Sequence, residues 1–430
     1  MSLKVQECSM VCPAGETPNQ IVRLTRLDML ALSRALVSFY PLAGRLRKNE
    51  GNDEIEVDCN GEGVLFIEVE TPYALNDFVD GDGDKDGVFK PNGKFRKMVN
   101  PTWDYTKGLS SIPLIMVQFT RFKCGSVCMG VAMHHHIGDG IAYAYFISSW
   151  ARLSRGLDLA VFPVHERSLI HHLAPRNPPQ VKFRHLEFEP RLPPLSPNGC
   201  SSGDAAMNME GLFSLSKPQI NALKLKAASY KVVDQGYTLS TFEVVAGHVW
   251  RSACMARGLA NEQQVKLYIP IDARTRLKDP TILLKGYYGN LVFFAACIAK
   301  VGDIVSKPLW YTASMIHETL VRMQDVEYLK SAVDYLELQS DPLVVLRGAD
   351  SVTSPNLLIN SWGRIPSCEA DFGWGCPTFF GNGGVRYEGL AFLIPTTHGD
   401  GSFTLSINLY KIHMPLFEKY LYDFQSTPKV

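Results

Sequence analysis

The sequence predicts an α/β protein of two domains, and three observations carry that expectation. The chain has 430 residues, beyond the size at which a single hydrophobic core usually stops growing. Helix-spaced and strand-like apolar runs are mixed along its length. A proline-rich stretch ending in Asn198-Gly199-Cys200-Ser201-Ser202-Gly203 interrupts them near the middle, which is the texture of a linker. The expected division is therefore a first domain over 1–174, a crossover linker over 175–207 and a second domain over 208–430.

Leu27 to Leu46 carries Leu30, Leu32, Leu36 and Val37 at helical spacing and is stopped at Pro41, because proline cannot continue a helix. Ile55–Cys59 and Val64–Val69 read as strands joined in a hairpin-like way through Asn60-Gly61-Glu62-Gly63. Pro113–Phe122 and Ser126–Met133 form a second strand pair, followed by a turn and a helix over Ile141–Leu153. Past the linker, Lys217–Tyr230, Thr241–Arg257 and Leu309–Met323 read as helices, and Val265–Pro270 and Ser402–Asn408 as strands.

Bulk properties narrow the function classes. Hydrophobic residues make up 46% and charged residues 20%, as in ordinary globular proteins. Lys plus Arg equals Asp plus Glu at 43 each, so no global field favours nucleic acid or an anionic membrane. The N-terminus shows no secretory signal, and no run approaches a membrane span. The 10 cysteines form no repeated CxxC pairs, and reduced, mostly buried thiols in a cytoplasmic protein are expected.

Two motifs carry chemistry. His135 lies where an apolar strand gives way to Ile137-Gly138-Asp139-Gly140. A histidine there suits a general base, since its ordinary pKa lies near neutrality; a hydrogen-bonded structural histidine fits the motif alone equally well. His134 and His136 would share one side of a strand, but no HExxH or CxxC spacing supplies further ligands, so no metal is expected. The second motif, Asp371-Phe372-Gly373-Trp374-Gly375, sets a tryptophan between two glycines. Its indole N–H could donate to an oxyanion, or the run could be a structural turn. Asp80–Gly87 fails the calcium-loop pattern, with Lys85 at the glycine position and Pro91 at the glutamate position.

His135-xxx-Asp139 and Asp371–Gly375 together resemble the two signature motifs of the plant BAHD acyltransferases. The likeness extends to Tyr40–Arg45, Ala246–Arg251, Asp272-Ala273-Arg274 and Tyr288-Gly289-Asn290. Within that family the chain is most similar to hydroxycinnamoyl-CoA:shikimate/quinate transferases, through Asn60–Phe66, Phe122–Gly125, Asp334–Leu338 and Ser361–Arg364. The resemblance implies two chloramphenicol-acetyltransferase-like domains, each a mixed β-sheet with helices, and an active-site channel between them. It implies direct transfer of a p-coumaroyl or caffeoyl group from CoA to a hydroxyl of shikimate or quinate, by a monomer needing no cofactor beyond the acyl-CoA co-substrate. His135 would be the base and Trp374 the oxyanion donor. Asp139 would be scaffold paired with Arg274, Asp371 would be structural, and Arg364 would hold the acceptor carboxylate. The sequence departs from the family after Pro18, where Asn19–Leu27 leads directly to the helix matching Leu32–Val37 and a strand-bearing stretch that lines the acceptor pocket is missing. It also departs at Tyr143 and Ala144, where small polar residues are usual, and at Thr281–Leu284.

Overall fold

The structure, a computed structural model, describes residues 4–11, 27–51, 54–79, 89, 91–189, 207–229, 236–276, 286–340 and 352–424. The acidic run 80–87, the shortened stretch 19–26 and residues 281–284 lie outside the described residues. Two compact units form, each discontinuous in sequence. The first comprises Met1–Glu166, Leu284–Asn290 and Ile365–Gly384, and the second Arg167–Leu283, Leu291–Arg364 and Val385–Val430. The expected contiguous halves are thus interleaved: the Asp371–Gly375 run groups with the N-terminal residues, not with 208–430.

The first unit is built from β1 (Lys4–Val11), α1 (Leu27–Ser38), β2 (Arg45–Lys48), β3 (Ile55–Asp58), β4 (Val64–Thr71), α2 (Gly93–Val99), β5 (Ile115–Phe122), β6 (Val127–Met133) and α3 (Gly140–Ser154). Its main sheet has the order β1-β4-β5-β6, with β4 and β5 parallel and the outer pairs antiparallel. The expected hairpin over 55–69 does not form. β3 pairs with β2 in a separate two-stranded ribbon, while β4 joins the main sheet. The cause is local: Gly61 and Gly63 both adopt positive φ, and the Gly63 N–H donates to the Ala43 carbonyl, which turns the chain away from β3.

Helix α1 buries Leu32, Ala35, Leu36 and Phe39, whereas Leu30 and Val37 are 45% and 47% exposed. Its packing face is thus partly made of alanines, which allow close approach. The helix faces a core with Phe119, Phe146, Trp150 and Phe372; burying each such side chain contributes about 1.5–3 kcal/mol. β6 runs so close to the end of α2 that a Cβ on Gly130 would lie 1.9 Å from the Val99 carbonyl oxygen. Only glycine fits there.

The second unit contains β7 (Asn208–Leu215), α4 (Lys217–Ala228), α5 (Thr241–Arg257), β8 (Gln264–Asp272), β9 (Val292–Lys300), α6 (Val301–Ser306), α7 (Leu309–Arg322), α8 (Val326–Glu337), β10 (Leu357–Ser361), β11 (Leu390–Pro395), β12 (Phe403–Tyr410) and α9 (Met414–Leu421). Its mixed sheet has the order β7-β12-β11-β10-β8-β9. α5 starts on a capping box, with Ser240 and Glu243 bonded reciprocally, and stops at left-handed Gly258.

Two expectations need correction. Residues 175–189 are not a free linker, because α8 holds them by side chains. Asp334 accepts from the backbone N–H groups of Arg176 and Gln180 (2.7 and 3.0 Å) and pairs with the Arg176 guanidinium. The Ser331 hydroxyl accepts from Lys182 N–H at 2.9 Å and bonds His185, while Tyr328 donates to Glu187. The cysteines are not all reduced either: Cys368 and Cys376 form a disulfide, while Cys59 and Cys124 are free and exposed. Among the described residues no helix is long and apolar enough to cross a membrane.

Candidate active site

β5 and β6 form an antiparallel hairpin in which Met133 lies opposite Ile115. The ladder is extended by one bond, from His134 N–H to the Leu114 carbonyl (2.9 Å), before the chain turns through His135 and His136. The expected strand end is therefore real, but the histidines lie on the turn and not in the strand. His134 is buried with its Nδ1 unpartnered, and His135 and His136 are exposed. Burial, with the two neighbouring imidazoles, holds the His134 pKa below its ordinary value.

Asp139 is 1% exposed and caps α3, its Oδ1 accepting from the Ala142 N–H at 3.0 Å. The cap satisfies a helix-end donor and fixes the direction in which α3 leaves the turn. The backbone of the turn is held from two sides. Asn290 Nδ2 donates to the His135 carbonyl at 2.8 Å and to the His136 carbonyl at 3.4 Å. The Tyr143 hydroxyl donates to the His134 carbonyl, and the Tyr143 ring stands edge-on to the His135 imidazole, centroids 6.1 Å apart. The result is an exposed imidazole on a rigid, hydrogen-bonded turn.

The Asp371–Gly375 run is a loop folded around its aspartate. Asp371 Oδ1 accepts from the N–H groups of Gly373 and Gly375, both at 2.8 Å, and Oδ2 pairs with Arg155 at 3.1 Å. These backbone bonds, assisted by Arg155, hold the Asp371 carboxyl below the usual carboxylate range. Phe372 enters the core against Trp150, while Trp374 is 64% exposed and touches Phe119 and Phe372. Arg155 caps the C-terminal end of α3, and the His135 turn adjoins its N-terminal end. A helix of 15 residues is about 22 Å long. Phe119 also lies four residues along β5 from Ile115, about 13 Å at the rise of a strand. This places the Trp374 indole, beside Phe119 and Phe372, toward the end of α3 remote from the His135 turn. The loop anchors the far end of α3, a placement that favours the structural-turn reading of Trp374 over the oxyanion donor.

The remaining expected site residues belong to the second unit. Arg274 pairs with Asp272 at 3.0 Å. Arg364 is exposed in the turn after β10, and its Nη1 donates to the Thr275 hydroxyl at 3.2 Å. Half-buried Arg276 feels the Arg364 charge, which adds to desolvation in lowering its pKa. Arg364 and Arg276 thus make a concentration of positive charge that sequence reading missed at Arg276. Asn290 appeared there only as part of a family stretch, and no local pattern marks it as a clamp. Among the described residues no group of three or more His, Cys, Asp and Glu side chains could hold a metal ion.

The chain is similar along nearly its whole length to known proteins. A family model described as the Transferase family matches residues 1–424. An anthranilate N-benzoyltransferase of Dianthus caryophyllus is 44% identical over 464 positions, covering 99% of this chain and 100% of that protein. A shikimate O-hydroxycinnamoyltransferase of Nicotiana tabacum is 43% identical over 458 positions, with coverage of 99% and 100%. The crystal structure of vinorine synthase matches with a TM-score of 0.71 at 18% identity, covering 99% of both chains, a likeness of fold. Fold and family model define the class: an acyl-CoA-dependent acyltransferase with two chloramphenicol-acetyltransferase-like α/β domains. The chain belongs to the BAHD acyltransferase family.

Proposed function

We propose that the chain transfers a p-coumaroyl or caffeoyl group from its CoA thioester to a hydroxyl of shikimate or quinate, as a monomer in the cytosol. The observation that carries this reading is the exposed His135 imidazole on a turn clamped by Asn290 and Tyr143. His135 takes the acceptor hydroxyl proton as its oxygen attacks the thioester carbonyl. The tetrahedral adduct collapses, the carbon–sulfur bond breaks, and the CoA thiolate takes the proton from the imidazolium. No acyl-enzyme forms, and no metal or further cofactor takes part. Asp139 holds α3 in place, and Arg274 and Asp371 are structural.

Arg364 supports an acceptor bearing a carboxylate, which a guanidinium holds by two parallel charge-assisted bonds. A second reading, an amine acceptor, is favoured by the Dianthus relatives, whose names specify anthranilate. Anthranilate also sets a carboxylate near its nucleophile, so Arg364 would serve either case. An impaired member that binds CoA esters without turnover is the remaining alternative. The alignment with the first relative spans 464 positions, 34 more than this chain's 430 residues, so that relative carries residues with no counterpart here, as the shortening read at Asn19–Leu27 implies for at least one stretch.

The test is release of CoA thiol from p-coumaroyl-CoA and benzoyl-CoA with shikimate, quinate and anthranilate. Turnover with shikimate or quinate is expected, and His135→Ala is expected to lower it by about 10²–10⁴, the range of general-base contributions. Turnover with anthranilate alone would select the amine reading. Calorimetric binding without turnover would select the impaired one, and full activity in His135→Ala would sink the mechanism.

A further inference from the structure

We propose that Tyr143 is a positioning residue for the acyl transfer, holding the peptide that carries His135 in the orientation the reaction needs. The inference rests on the reading of His135 as the base. Tyr143 lies in the first turn of α3, bonded through its N–H to the carbonyl of the Asp139 cap (3.0 Å). Its side chain reaches back across the turn, so that its hydroxyl donates to the His134 carbonyl. That carbonyl belongs to the peptide unit joining His134 to His135. Rotating this unit would swing the Cα–Cβ direction of His135, so a bond to its oxygen restrains the imidazole at one remove. Asn290 restrains the next carbonyl, and the peptides on both sides of His135 are thereby fixed.

A second observation shows that the site is shaped for this side chain. A Cβ built on Gly138 would stand 3.3 Å from Tyr143 Cε1 and 3.0 Å from the Ala142 Cβ. Those contacts are tighter than most Cβ contacts, so glycine at 138 leaves the Tyr143 ring and Ala142 room that a side chain there would take by a few tenths of an ångström. The ring also forms the wall beside His135, edge-on at 6.1 Å. Burial, with the nearby Asp139 charge, pushes the phenol's pKa upward, which keeps it a donor across the working range. The chain thus carries Tyr143 where the family resemblance leads one to expect a small residue, together with the geometry that gives its hydroxyl a task.

The experiment compares Tyr143→Phe with the parent and with His135→Ala. Tyr143→Phe keeps the ring and removes only the hydroxyl. The expected result is a fall in kcat of about 10- to 100-fold, the upper end being the cost of misplacing a reacting group by about 1 Å. KM for acyl-CoA and acceptor should stay within twofold, with an unchanged pH profile of kcat/KM and an unchanged melting temperature. A kcat within twofold of the parent overturns the inference. So does a rise in KM at unchanged kcat, which would mean the hydroxyl touches substrate, and so does a loss that merely follows the folded fraction. Failure of the underlying reading shows separately, as an inactive parent or an active His135→Ala. Should Tyr143→Phe fail to fold, Gly138→Ala makes the test from the other side. It keeps the hydroxyl but displaces the ring, and it should lower kcat while leaving KM intact; unchanged kcat in a folded Gly138→Ala would overturn the inference.

Discussion

Arg364 and Trp374 are both exposed, and their neighbours give them opposite prospects. Arg364 has a guanidinium committed at one nitrogen to the Thr275 hydroxyl, leaving donors for a carboxylate. Charge-assisted hydrogen bonds contribute about 1.5–3 kcal/mol each, so Arg364→Ala is expected to raise KM for a carboxylate-bearing acceptor by roughly 10- to 100-fold. KM for acyl-CoA should not move, and Arg364→Lys should recover only part of the loss, because a lysine cannot make the paired bonds. Steady-state kinetics with each substrate varied in turn checks this. Trp374, resting on Phe119 and Phe372, makes the reverse case. Loss of an oxyanion donor typically costs about 10²–10³ in kcat, whereas Trp374→Phe should keep kcat within about threefold, since stacking alone is altered. The sequence made His135 legible because a strand end and two glycines surround it. It left Trp374 open between donor and structural turn, and its place beside Phe119 and Phe372 favours the second.

At the scale of elements, α3 works as a rod with the His135 turn at one end and the Asp371 loop at the other. Removing the loop's carboxylate should loosen the far end, and pH gives the signature. The folded Asp371 pKa is depressed, so its contribution is present above the ordinary carboxylate pKa of about 3.9 and fades as pH falls through the lower folded value. The melting-temperature gap between parent and Asp371→Asn should therefore be full at neutral pH and close as the solution is acidified below about pH 4. A gap that persists unchanged at low pH would mean the carboxylate's charge is not what holds the loop. Legibility varied for physical reasons at this scale. α5 was read to the residue, and in the structure the Ser240–Glu243 box and left-handed Gly258 close its two ends. α1 was read in place with its face half right: Leu32 and Leu36 are buried as expected, but Ala31 and Ala35 complete the inward face while Leu30 and Val37 face solvent. The β3–β4 hairpin failed because adjacency in sequence did not survive the Gly61–Gly63 turn.

For the molecule as a whole, interleaving of the two units was not visible in the chain. A proline-rich stretch suggested a boundary, yet its described part is bonded to α8, and residues 365–384 rejoin the first unit. Acid should act on the two units through different groups. In the second, His248 is fully enclosed in α5, donates from Nε2 to the Leu421 carbonyl at 2.8 Å, and has its pKa pushed down by burial to about 4. The unfolded chain binds that proton near the ordinary value of 6.5. His248 therefore stabilises the fold fully above about pH 6.5 and progressively less as pH falls toward 4, with a slope of at most about 1.4 kcal/mol per pH unit. Denaturant unfolding of the parent should show this slope, and His248→Gln should flatten it. An identical slope in the variant would assign the effect elsewhere.

The disulfide between Cys368 and Cys376 closes a covalent ring around the whole Asp371–Gly375 loop. Stable disulfides are uncommon in reducing compartments, so the same gene product can exist as two chemical species that differ by two hydrogen atoms. Which one a preparation contains depends on where the protein was made and which reductant it met afterwards. Intact mass under non-reducing conditions is thus part of defining the sample, and rate constants from batches of differing oxidation history are comparable only once that mass is known.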